Sequence, residues 1–171
     1  VNARTVFILP NNGNIIMAAQ QCAHLTEKEI IVIPSKTVPQ GITAMMNADF
    51  ECGDPQEMAQ AMTASLATVS TAQITYAARD SDFDGFEIHQ GDYLALKEGK
   101  LFGTDTQLDA LLEKLAEEGK DSSFISLYYG EDVTEDAAQA AGARFQAVCP
   151  DAEISVLSGG QPVYYYIISF E

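Results

Sequence analysis

The sequence predicts an α/β fold in two parts, a parallel-sheet sub-domain over residues 1–70 and a mixed-sheet sub-domain over residues 71–171. Three observations carry that reading. Thr5–Leu9 and Glu29–Pro34 are apolar runs rich in Val, Ile and Phe, the pattern of strands covered on both faces. Each is followed by a polar turn and a helical stretch, the order that builds a parallel sheet. Past Ser70 the pattern changes to short strands and tight turns, and helix–strand alternation returns at Thr104.

Taken in order, Pro10 stops the first strand and Asn11-Asn12-Gly13 is turn chemistry. Asn14 is the expected cap of an apolar helix running to Leu25. The second strand leads through Ser35–Gly41 into a helix over Gln40–Asn47. Ala48–Asp54 is a polar loop. Asp54-Pro55-Gln56-Glu57 opens the next helix with a capping residue, a first-turn proline and a glutamate three positions on. Met58, Ala61, Met62 and Leu66 give it an inward stripe, a Met-rich core pattern rather than a cofactor site.

Thr71–Ala78 reads as a strand, Asp80–Gly85 as a turn, and Phe86–Ile88 and Asp92–Leu96 as further strands. Lys97–Lys100 is a tight turn before Leu101-Phe102. Thr104 and Gln107 are spaced as a capping box, and Leu108, Leu111, Leu112 and Leu115 form the apolar face of a helix ended by Gly119. Phe124–Tyr129 is a strand. A helix follows from Thr134 to Val148, with Ala138, Ala141, Phe145 and Val148 inward and Pro150 beyond its end. Glu153–Leu157 and Val163–Ser169 are the last strands. Alternation within the second turns Tyr165 away from Tyr164 and Tyr166, so at least one ring meets an outer or interfacial face. No period of 20–50 residues repeats.

The composition narrows the function. Of 171 residues, 47% are hydrophobic, which places the chain among globular proteins. Nine Lys and Arg stand against 25 Asp and Glu, a net charge of −16. Such a surface repels nucleic acid and anionic headgroups. No apolar run reaches the ~18 residues of a membrane span, and a strand starting so close to Val1 suggests a piece of a longer chain. Cys22, Cys52 and Cys149 are odd in number and scattered, the usage of a reducing cytoplasm rather than of a disulfide framework. Cys22 and His24, two apart on a helix, cannot clamp a metal together.

The candidate chemistry is mostly of binding. Asp80-Ser81-Asp82-Phe83-Asp84-Gly85 opens like a calcium loop, but Gly91 stands where the closing bidentate Glu belongs, so a solvated hairpin turn is the reading. Gly159-Gly160 lies between strands rather than before a helix, as a tight turn does. Ser35 and Thr37 flank Lys36, yet neither histidine has a positional signature linking it to them. The two strand-to-helix turns present Asn11, Asn12, Asn14, Ser35, Lys36, Thr37 and Gln40 at the carboxyl ends of parallel strands, where helix N-termini suit a carboxylate. Those side chains either hold a ligand or only cap helices.

Four blocks carry a resemblance. Leu9–Ile16 (Leu-Pro-Asn-Asn-Gly-Asn-Ile-Ile), Ile33–Gly41 (Ile-Pro-Ser-Lys-Thr-Val-Pro-Gln-Gly), Thr75–Asp80 and Gly159–Tyr166 together resemble the C-terminal region of the YloV type of DAK2-domain proteins, the family that includes the A subunit of fatty acid kinase. The resemblance implies a DAK1/DegV-like fold: a three-layer α/β/α sub-domain with a parallel sheet, then a two-layer mixed-sheet α/β sub-domain. It implies that a Gly-Gly-Gln-Thr-Met-Asn-Pro-Ser segment precedes residue 1, and it adds Arg79, Gln161 and Tyr164 to the binding candidates. It places catalysis in a separate N-terminal kinase domain holding ATP and magnesium, with no cofactor in this segment. The role implied here is to dock a DegV-type fatty-acid-binding protein so that the acyl carboxylate is phosphorylated. An acyl-chain carrier and a dihydroxyacetone kinase-type enzyme are the alternatives, and a homodimer is open. The first turn is Asn-rich where DegV-type carriers use Ser and Thr. Neither His24 nor His89 matches the substrate-binding histidine of dihydroxyacetone kinase.

Overall fold

In a computed structural model of the chain, which describes residues 1–83 and 86–171, the polypeptide divides into two compact units, Val1–Val69 and Ser70–Glu171. The Asp84-Gly85 end of the acidic hairpin lies outside the described residues.

In the first unit, β1 (Thr5–Ile8) and β2 (Glu29–Val32) pair in parallel with Thr5 opposite Glu29 and Ile8 opposite Val32. Both strands are only partly buried, not covered on both faces as their apolar runs predict. Between them the chain forms a 3-10 turn (Gly13–Ile15), a short helix α1 (Ile16–Gln21) and a second 3-10 turn (Cys22–Leu25). Asn12, not Asn14, is the cap: its side chain accepts from the Asn14 N–H. The apolar helix expected here buries none of its side chains, and Met17 and Leu25 face solvent.

Helix α2 spans Val38–Met46 and starts two residues earlier than the pattern suggests, because Thr37 caps it and Pro39 occupies its first turn. Helix α3 spans Pro55–Ser65, with the Asp54 carboxylate accepting from the Gln56 N–H at 2.9 Å. Its inward stripe runs through Ala59, Met62 and Leu66, the last in a 3-10 turn, with Met58 alongside; Ala61 is exposed. Ile33, Ala44, Ala59, Met62 and Leu66 are the small core of this unit.

The second unit has a six-stranded mixed sheet. Its strands are β3 (Ser70–Tyr76), β6 (Tyr93–Lys97), β7 (Lys100–Asp105), β8 (Phe124–Tyr129), β9 (Glu153–Ser158) and β10 (Tyr166–Phe170), in the order β7-β6-β3-β10-β8-β9. Only β8 and β9 are parallel. A separate hairpin joins β4 (Ser81–Phe83) to β5 (Phe86–Ile88), so Ser81–Phe83 of the expected turn at Asp80–Gly85 is strand. The β6–β7 turn has Glu98 and Gly99 at φ 51° and 75°, the two left-handed residues that a tight hairpin turn requires.

Helices α4 (Leu108–Glu117) and α5 (Glu135–Val148) pack against each other and on one face of the sheet. Leu111, Leu112, Leu115, Ala138, Ala141 and Phe145 meet Ala72, Ile74, Ile125, Leu127, Tyr166 and Ile168 there. The capping box expected at Thr104 and Gln107 does not form, because β7 continues through both Thr104 and Asp105. The Asp105 carboxylate accepts from the Gln107 N–H at 3.0 Å instead. Thr134 does cap α5, accepting from the Ala137 N–H at 3.3 Å. No helix among the described residues is long and apolar enough to cross a membrane.

Candidate functional site

The parallel pairing of β1 and β2 brings their carboxyl ends side by side, and so brings the two turns together. Asn11 adopts a left-handed φ of 53°, a conformation asparagine enters more readily than most residues. Its backbone N–H donates to the Ser35 hydroxyl oxygen at 3.0 Å, and that hydroxyl donates back to Asn11 Oδ1 at 2.7 Å. Ser35 is fully buried, so this pair locks one turn to the other.

The second turn spends its groups on itself. Thr37 Oγ1 accepts from the Gln40 N–H at 3.4 Å. Gln40 Oε1 accepts from the Lys36 N–H at 2.8 Å, while Gln40 Nε2 donates to the Leu66 carbonyl at 3.3 Å. Gly41 leaves room for Asn11: a Cβ on Gly41 would stand 2.0 Å from Asn11 Oδ1. The Lys36 side chain runs out past Gly13 and is exposed, as are the Asn12 and Asn14 side chains.

Of the residues singled out in the sequence, five therefore share one corner of the first unit: Asn11, Ser35, Lys36, Thr37 and Gln40. Asn12 and Asn14 also lie in the first unit, in the turn that holds Asn11, and the other three candidates belong to the second unit. Arg79 is exposed between β3 and β4. Gln161 fastens the loop before β10, its Nε2 donating to the carbonyls of Tyr128 at 2.8 Å and Tyr164 at 3.3 Å. Tyr164 lies in that loop, since the strand begins at Tyr166 rather than Val163. Tyr166 is buried against the helices. Tyr165 packs edge-on between Tyr76 and Tyr93, with centroids at 6.2 and 5.3 Å.

What the sequence reading missed is the outer face of α2. Here the usual arrangement is inverted: Gln40 and Thr43 are buried while Ile42, Met45 and Met46 are exposed, Met46 to 81%. With Leu9, Asn11 and Gly41 these residues frame an open groove of about 420 Å³. Asn11 is the one polar side chain among the six. The signal was present in the sequence, since Val38–Met46 is apolar around most of its circumference. Among the described residues no cluster of three or more His, Cys, Asp or Glu could hold a metal.

A family model for the C-terminal region of proteins like the A subunit of fatty acid kinase (FakA-like) matches residues 1–171. The chain belongs to that family. It is 38% identical over 177 residues to Protein YloV of Bacillus subtilis (strain 168), covering 100% of this chain and 31% of that protein. It is 35% identical over 170 residues to an uncharacterized protein of Staphylococcus aureus (strain USA300), again covering 31% of it. This FakA-like module thus spans about a third of the length of those relatives. Solved structures show its fold to be that of DegV-family α/β proteins. The Streptococcus pneumoniae fatty acid kinase B3 protein, loaded with linoleic acid, superposes with a TM-score of 0.67 at 15% identity, over 99% of this chain and 72% of that one. The DegV family protein Cg2579 of Corynebacterium glutamicum gives 0.69 at 15% identity, over 97% and 74%.

Proposed function

We propose that the chain is a non-catalytic docking module of a cytoplasmic fatty acid kinase, and that the apolar face of α2 is where a DegV-type fatty-acid-binding protein seats. The inverted polarity of α2 carries this reading. Exposing Ile42, Met45 and Met46 leaves apolar area in water that the helix could have hidden by rotating. Methionine-rich surfaces suit the packing of a partner, because the unbranched side chain adapts to it. The turn groups nearby are mostly hydrogen-bonded to one another, which suits a rigid support better than a site awaiting a substrate. Phosphoryl transfer then belongs to a kinase domain outside these residues, which holds ATP and magnesium.

One observation favours a second reading. The groove has a single amide, that of Asn11, at its turn end, so an acyl chain could lie along the methionines with its carboxylate at that end. The groove is open to solvent, however, whereas a carrier encloses most of its ligand.

Calorimetry separates the two. The chain is titrated with a fatty-acid-loaded DegV-type protein, with free fatty acid and with ATP–magnesium. Binding to the loaded carrier alone, weakened about tenfold or more by Met46→Glu, is the expected result. Saturable binding of free fatty acid would establish the carrier instead, and turnover of ATP would overturn both readings.

A further inference from the structure

The five methionines of the chain fall into two groups. Met62 is 1% exposed, and Met58 packs on the same small core of the first unit. Met17, Met45 and Met46 face solvent. Of these three, Met45 and Met46 line the groove on the outer face of α2, together with Leu9 and Ile42. Leucine forms a helix about as well as methionine and presents a similar apolar area, so neither helix formation nor apolar contact requires sulfur at both positions. Besides a pliable side chain, sulfur adds a lone pair open to two-electron oxidants.

We propose that Met45 and Met46 are a paired oxidation site at which peroxide turns docking off, a regulation that rests on the reading of α2 as the docking face. The thioether sulfur attacks one oxygen of hydrogen peroxide, the O–O bond breaks and an S–O bond forms. Sulfur gives up two electrons. The second oxygen leaves as water, taking the hydrogen that the attacked oxygen carried. Thiol-dependent methionine sulfoxide reductases reverse the step: two thiols become a disulfide, and the sulfoxide oxygen leaves as water. Charge favours a neutral oxidant, since a surface carrying a net −16 repels anions such as hypochlorite but not hydrogen peroxide.

Oxidation changes the groove without changing the helix. The residues that α2 buries are Pro39, Gln40, Gly41, Thr43 and Ala44, so the new oxygens project away from the packed side. A sulfoxide oxygen is a strong hydrogen-bond acceptor, satisfied by water while the groove is open. The lining offers one amide, that of Asn11, for two sulfoxides. A docking partner therefore strips water from an oxygen with no donor on this chain to replace it, and that penalty falls on the bound state.

The test uses the 171-residue chain with Cys22→Ser and Cys52→Ser, because both thiols are at least partly accessible and would oxidise as well. It is treated with hydrogen peroxide, mapped by peptide mass spectrometry and titrated with a fatty-acid-loaded DegV-type protein. Met46, 81% exposed, and Met17, 71% exposed, should gain oxygen first, Met45 at 47% next and Met62 last. Affinity for the loaded carrier should fall about tenfold or more with an unchanged circular dichroism spectrum, and sulfoxide reductases with dithiothreitol should restore it. Met17→Leu should lose affinity on oxidation as its parent does. The Met45→Leu, Met46→Leu double variant, compared with itself before and after peroxide, should not. Should that variant bind too weakly to compare, reversal by the reductases decides the matter. Met45 and Met46 that resist peroxide, a doubly oxidised chain that binds as tightly as before, or a loss that persists in the double variant would each overturn the proposal and leave the docking reading standing. An untreated chain that does not bind the carrier would overturn both.

Discussion

At the scale of single residues, the joined turns rest on very few atoms. Ser35→Ala removes the hydroxyl that both accepts from Asn11 N–H and donates to Asn11 Oδ1, stranding two polar groups in a partly buried place. The expected cost is about 1–3 kcal/mol by urea denaturation, against a few tenths for an exposed serine. Gly41→Ala should cost a similar amount, since its Cβ displaces the Asn11 side chain. Ser169→Ala should do the reverse. Its hydroxyl is fully buried and has no partner among the described residues, so deleting it should raise stability by about 1 kcal/mol. A loss on that substitution would reveal an ordered water bound there. Tyrosines give a pH signature. Burial pushes the Tyr166 phenol up to about 12, from an ordinary value of 10.0. The unfolded chain releases that proton first, so the contribution of Tyr166 to stability is flat up to about pH 10 and falls between there and about pH 12. The urea midpoint of the native chain should fall relative to that of Tyr166→Phe as the pH rises across that range.

At the scale of elements, the clearest tension is in the loop before β10. Val163 holds φ at 71°, costly for a β-branched residue, while its carbonyl accepts from Thr75 Oγ1 at 3.0 Å. Val163→Gly should therefore be neutral or stabilising by up to about 1 kcal/mol, where the same change in a strand is destabilising. Thermal denaturation distinguishes the two signs. The same loop shows what periodicity can miss. Three tyrosines followed by two isoleucines look like one continuous strand, but Gln161 binds the Tyr164 carbonyl and Tyr164 N–H turns back to Pro162, so the chain extends only from Tyr166. Helices α3 and α5 were legible because capping residues and apolar stripes agreed, and α4 was legible from its leucine stripe alone. The start of α4 was misjudged for a related reason: Thr104 remains in β7, and strand pairing with Leu94 outweighs its capping preference. For the candidate corner, turn chemistry pointed to Asn11 and Ser35, but their pairing needs the β1–β2 register. The groove on α2 was hidden because composition shows that a helix is apolar without showing which side it turns inward.

At the scale of the whole molecule, the two units are unequal in what each can hold together. The first buries a cluster of five apolar residues around a pair of four-residue strands, and such a small sheet is marginal in water. Among the described residues the second buries seventeen around six strands and two helices. Residues 70–171 expressed alone should give dispersed amide resonances and a cooperative melt, whereas 1–69 alone should not. Leu115→Ala, in the middle of the larger cluster, should cost about 2–5 kcal/mol in the isolated unit as in the whole chain.

The placing of β10 between β3 and β8 has a consequence for how the protein is made. The strand that fills the centre of the sheet is the last of its six strands to be synthesised, and Thr75 must wait for a residue 88 positions downstream before its hydroxyl bond to the Val163 carbonyl can close. Until residue 170 has been synthesised, the nascent chain carries β3 and β8 as open edges facing a vacant slot. Chaperone demand should therefore peak between the synthesis of β8 and that of β10, when both helices of this unit have already been made.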